Sequence, residues 1–134
     1  MAFDWKKPTV QMLGRWQPWH EGHRELFKRC HSITGQVCIM IRDVPVDTEA
    51  NEFVPGQDDN PFEYNEVVKR IAFDLHNEGF EYGDDFICMK VPNIVNISYG
   101  RGVGYTFTEH DLGKEIHDIS ATKIREQMRL DGDL

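Results

Sequence analysis

Gly14-Arg15-Trp16-Gln17-Pro18-Trp19-His20-Glu21-Gly22-His23 is the stretch whose reading decides the fold. The apolar run before it, Thr9-Val10-Gln11-Met12-Leu13, reads as a short buried strand. Glu21–Ile33, after it, carries Leu26, Phe27 and Ile33 among charged residues and reads as an amphipathic helix. A glycine-containing turn from strand to helix offers backbone N–H groups and a positive helix end to phosphate. Gly14 is expected to let the chain turn tightly, and Gly22 to remove a side chain where a phosphate approaches. Pro18 stiffens the turn between them.

His20 and His23 are spaced so that they share one face of a helix start, and both rings can serve a single anion. Imidazole N–H donors strengthen as negative charge gathers on phosphate oxygens. His-Glu-Gly-His lacks the four-residue spacing of a metalloprotease helix, so no metal ligands are assigned. The plain alternative is a histidine pair that caps and solvates a helix.

A length of 134 residues suits one domain over 1–134 with a moderate core. The net charge of −8 speaks against a broad nucleic-acid surface or an anionic membrane, so a phosphate site must be a local basic cluster. No apolar run is long enough to span a bilayer, and the first residues lack a signal-peptide core. Cys30, Cys38 and Cys88 are an odd count without paired spacing. They read as thiols in a reducing compartment, the cytoplasm being the simplest.

Along the chain, Gly35 stops the first helix and Gln36–Ile41 gives a second buried strand, suited to a parallel sheet. Arg42 and Asp43 follow at its carboxyl end, where open α/β sheets bind ligands. Arg42 is a candidate for an acceptor phosphate, its alternative being a surface pair with Asp43. Residues 44–61 form an acidic loop, read as a lid or simply as solvated chain. Asn60 is expected to cap a helix over Phe62–Glu78 with Pro61 in its first turn, and Gly79 to end it. Phe86–Val91 reads as a third strand and Tyr105–Thr108 as a short fourth.

Gly100-Arg101-Gly102 lies in a second glycine-rich element, which can lay backbone and one guanidinium against a nucleotide; most such elements are turns. Ile119-Ser120-Ala121-Thr122-Lys123-Ile124-Arg125 opens the last helix. Ser120 is its expected cap, and Thr122 and Arg125 share a face from which the guanidinium reaches an anion at the helix start. An ordinary capped helix is the alternative. Alternating strands and helices predict an α/β fold, Rossmann-like and doubly wound, with a mainly parallel sheet flanked by helices. Both phosphate-suited elements are then expected at strand-to-helix junctions on one sheet edge.

Together, His20-Glu21-Gly22-His23 and Ile119–Arg125 resemble the nucleotidylyltransferase superfamily with His-x-Gly-His and Ile-Ser-x-Thr-x-Ile-Arg signatures, over nearly the whole chain. Gly14–His20 is most similar to the archaeal-type nicotinamide mononucleotide adenylyltransferases, as is Asn60-Pro61-Phe62. Cytidylyltransferase-like relatives share the fold, but their arginine-threonine-glycine signature is missing. Tyr99–Tyr105 lacks the tryptophan-bearing segment expected for a nicotinamide mononucleotide acceptor.

The resemblance implies a nucleoside triphosphate substrate, ATP before CTP, with Mg²⁺, and a small phosphorylated acceptor. It implies His20, His23 and Arg125 as catalytic, with Ser120, Thr122 and Arg15 at the phosphates. Gly14, Trp16, Gln17, Gly22, Gly100, Arg101 and Gly102 are candidates around the nucleotide from their two glycine-containing stretches. Nucleic acid and membrane are not among the partners expected, and a homo-oligomer stays open. Two other readings stay open as well. One is a nucleotide-binding module without chemistry, the other a metal-binding structural domain.

Overall fold

A computed structural model describes residues 2–46, 60–102, 104–117 and 119–134. Asp47, Glu49, Glu52, Asp58 and Asp59, which make the 44–61 loop acidic, lie outside the described residues. Strands β1 (Val10–Gly14), β2 (Val37–Arg42) and β3 (Phe86–Val91) form one sheet, parallel throughout, in the order β1-β2-β3. Helix α1 (Glu21–Thr34) joins the first two strands and α2 (Tyr64–Asn77) the last two. The one-turn α3 (Lys114–His117) and then α4 (Ala121–Leu130) end the chain.

The register places Met12 beside Ile39 and Cys88, and Val37 beside Phe86. These side chains, with Ile41, share one face of the sheet because strand residues alternate. Phe27 and Cys30 of α1 and Val67, Ile71 and Leu75 of α2 pack with them in a single buried cluster. Both helices therefore cover the same face. Strands laid down in one direction through right-handed crossovers give that arrangement.

A doubly wound sheet needs a reversal in strand order, and no strand among the described residues supplies one. The expected fourth strand is not formed among the described residues: Tyr105–Thr108 has no ladder partner there and lies exposed. The parallel α/β sheet stands; the described residues do not show the doubly wound Rossmann-like order.

Gly35 takes the left-handed conformation, φ 78°, and its N–H bonds the His31 carbonyl, ending α1 as expected. The start of α2 differs. Glu63, not Asn60, is the N-cap, and no side chain caps it. Asn60 is fully buried instead. It accepts a hydrogen bond from Arg15 Nη1 (2.9 Å) and donates one to the Pro45 carbonyl (3.1 Å). A buried amide must be satisfied, and long-range partners meet that need where an exposed cap would not.

Helices α1 and α2 are tied by Arg24, which bridges Asp74 (2.7 Å) and Glu78 (3.2 Å), and by the Trp19 indole N–H, which donates to Asp74 (2.9 Å). The three cysteines are free and buried. No helix among the described residues is long and apolar enough to cross a membrane.

Candidate active site

The site begins at the carboxyl end of β1. Trp16 adopts φ 55°, unusual for a residue with a side chain. Its indole N–H donates to the Met40 carbonyl (3.1 Å), and its ring lies over Gly14, where a Cβ would stand 2.9 Å from the ring. Gly14 thus makes room for Trp16; its own backbone φ is not positive. Gln17 is also buried, donating to the Phe62 carbonyl (2.8 Å) and accepting the Phe62 N–H (2.9 Å). The peptide bond from Gln17 to Pro18 is cis. The Trp16 and Gln17 side chains, expected around the nucleotide, are both engaged in holding the turn.

His20 is the N-cap of α1. Its Nδ1 accepts the Gly22 N–H (3.0 Å), and His23 Nδ1 accepts the His20 N–H (3.2 Å), a reciprocal box that satisfies two free helix-end donors. The rings stack with centroids 3.6 Å apart. A Cβ on Gly22 would stand 2.9 Å from the His20 ring, so the space at Gly22 belongs to that ring.

Burial lowers the pKa of His20. Burial first, and the neighbouring His20 second, push His23 down to about 3. Both rings are therefore neutral at pH 7. Because each Nδ1 accepts a backbone N–H, the proton of each ring sits on Nε2. The pair is a capping device, as the plain reading had it, and it also leaves two neutral Nε2–H donors at the helix start.

The second motif arrives from the far end of the chain. Ser120 caps α4, its hydroxyl accepting the Lys123 N–H (3.4 Å). Thr122 is exposed, and its hydroxyl accepts from Arg125 Nη2 (3.3 Å). Arg125 is buried, and its Nη1 donates to the carbonyl of Gln17 (2.5 Å), three residues before His20. A methyl of Ile116, on α3, would lie 3.6 Å from a Cβ on Gly22. The C-terminal segment therefore seats on the histidine turn. It does so through α3 and a loop rather than from a strand-to-helix junction, since among the described residues α3, not a strand, comes directly before α4.

Arg42 ends β2 on the same sheet edge. Its Nη2 donates to Asn93 (2.9 Å), while its buried Nε has no partner among the described residues. Burial lowers its pKa. The alternative, a surface pair with Asp43, is not formed; Asp43 faces Lys90 instead (3.8 Å). Gln17, Arg42, Asp43, Phe62, Tyr64 and Lys90 line much of a cavity of about 230 Å³ beside the turn. Asn60 and Lys90 had no site role in the sequence reading. A lone lysine near the end of an apolar strand was the only signal for Lys90.

The structure does not bring Gly100, Arg101 and Gly102 to this place. They lie in an exposed loop, and a Cβ at either glycine would meet nothing within 4 Å. No group of three or more His, Cys, Asp or Glu converges as a metal site among the described residues. Scans against family models, curated proteins and solved structures find no match to this chain.

Proposed function

We propose that this chain is a nucleotidylyltransferase, moving a nucleoside monophosphate, AMP from ATP by preference, onto a small phosphate-bearing acceptor with release of pyrophosphate. The observation that carries the reading is the bond from Arg125 to the Gln17 carbonyl, which joins the two motif-bearing ends of the chain at one turn.

An acceptor phosphate oxygen attacks the α-phosphorus, and the bond to the bridging oxygen of pyrophosphate breaks. The acceptor is already anionic, so no general base is needed, and positioning with charge stabilisation does the work. His20 and His23 donate through Nε2–H to oxygens of the α-phosphate and the bridge. Being neutral, they supply direction rather than charge. The charge comes from Arg125 and Arg15, and the free N–H groups at the start of α4, beside Ser120 and Thr122, face the leaving phosphates.

Arg42, with its unmet Nε donor and the adjoining cavity, suits the acceptor phosphate. Nicotinamide mononucleotide is one acceptor of the right kind. The chain offers no carboxylate cluster for Mg²⁺ among the described residues, so the ion would arrive on the triphosphate oxygens. The triphosphate and the free thiols suit a cytoplasmic setting.

Pyrophosphate release is measured with ATP or CTP against a panel of phosphate monoesters. Release that requires both a nucleotide and an acceptor is expected, with ATP preferred. CTP preferred over ATP makes the chain a cytidylyltransferase. Nucleotide binding without release from any pair makes it a non-catalytic module, and that result overturns the proposal.

A further inference from the structure

An all-parallel sheet is normally covered on both faces, because its strands are apolar on both. Here the helices among the described residues cover only one. The opposite face carries Leu13 of β1, Cys38 and Met40 of β2, and Ile87 and Met89 of β3, brought together by the register. None of them belongs to the buried cluster built by α1 and α2, and all but Cys38 keep part of their surface in solvent. Their only hydrogen-bonded side-chain contact with one another is Cys38 Sγ to Met89 Sδ (3.4 Å).

The same chain carries a second uncovered apolar surface. Val95, Ile97, Tyr99, Tyr105 and Phe107 are each more than half exposed, and the first three alternate with polar Asn96 and Ser98. The Tyr99 and Phe107 rings stack with centroids 5.0 Å apart, holding the two arms of this segment side by side. With ~150–250 Å² for a large side chain, the five leave roughly 600 Å² of mostly apolar surface in water. Exposed apolar surface of that size marks an interaction site where it is contiguous, and the Tyr99–Phe107 stack joins the two arms that carry it. The segment starts beside the bare face but does not seat on it: a cavity of about 350 Å³ lies between Ile94–Ile97 and Leu13 and Arg42.

We infer that a second copy of this chain covers the bare sheet face, each protomer laying its stripe of Val95, Ile97, Tyr99, Tyr105 and Phe107 on the Leu13, Met40, Ile87 and Met89 face of the other. One chain supplies both halves, which is what a self-complementary two-fold contact requires. Two stripes at roughly 600 Å² each, with the two faces they cover, reach the size of a specific protein–protein interface. The pairing also restores to the parallel sheet the second layer that α1 and α2 leave out.

The test is the mass of the full chain in solution between about 1 and 100 μM, by sedimentation equilibrium, with its far-UV circular dichroism. A dimer at twice 15.6 kDa is expected. Ile97→Glu and Phe107→Glu change exposed side chains, so both fold as the parent does. Each weakens dimerisation at least 100-fold. Met89→Glu does the same from the opposing face, and if it fails to fold the two stripe variants still decide. A monomer at 100 μM overturns the inference, including one in which the stripe has closed on its own sheet. A dimer that survives both stripe variants uses another surface and overturns it too.

Discussion

His23 Nδ1 accepts the backbone N–H of His20, and His20 Nδ1 accepts that of Gly22, so the two imidazoles close the first turn of α1 with their acceptor nitrogens. That bond pattern fixes which nitrogen of each ring can face a ligand. It also makes the neutral form of each ring part of the fold.

The first consequence concerns pH. In the folded chain His23 titrates at about 3, against about 6.5 when unfolded, so between those values the unfolded state holds the extra proton. Stability is complete above pH 6.5 and falls as pH drops, by about 1.4 kcal/mol per unit. Between pH 7 and pH 5 the loss is roughly 2 kcal/mol on that slope. Urea unfolding at the two pH values measures it, and His23→Asn flattens the difference. An equal loss in that variant assigns the pH dependence to other groups.

His23→Ala is expected to lower turnover by about 10²–10³-fold, as loss of one donor to developing charge does. Nucleotide affinity changes far less, because the neutral ring adds little to ground-state binding. Single-turnover kinetics beside equilibrium nucleotide binding separates the two. Parallel loss of both assigns His23 to the helix cap alone.

Gly22→Ala brings a methyl to 2.9 Å from the His20 ring and displaces it, so activity falls although no donor is removed. Gly100→Ala and Gly102→Ala meet nothing within 4 Å and leave activity and melting temperature unchanged. A loss of activity at Gly100 or Gly102 shows that their loop closes on the nucleotide.

Gln17→Ala leaves the buried N–H and carbonyl of Phe62 without partners. A buried unsatisfied group costs about 1–3 kcal/mol, so with two such groups the variant loses roughly 2–6 kcal/mol, read by denaturant unfolding. A loss below about 1 kcal/mol means that water reaches Phe62.

Arg42→Met removes a guanidinium whose buried Nε has no partner among the described residues. Thermal stability stays level or rises, while the KM for the acceptor increases by about tenfold or more and that for ATP hardly moves. This split distinguishes an acceptor contact from a structural one. A KM increase confined to ATP places Arg42 on the triphosphate.

Much was fixed locally by the sequence. The bounds of β3, those of β1 and β2 to within one residue, the stop at Gly35 and the cap at Ser120 follow from apolar periodicity and from residues that act on their nearest neighbours. The sequence could not say that Trp16, Gln17 and Asn60 hold the turn, because their partners Met40, Phe62 and Arg15 lie 24 to 45 residues away. Nor could it say that Gly14 and Gly22 make room for rings of this same chain. The expected fourth strand failed for a related reason: a strand exists only with a ladder partner, and periodicity does not supply one. Only the tertiary structure decided that α1 and α2 lie on one side of the sheet, since strand order and crossover hand are properties of the assembled chain. Among the described residues, that arrangement leaves one apolar face of the sheet without a helix.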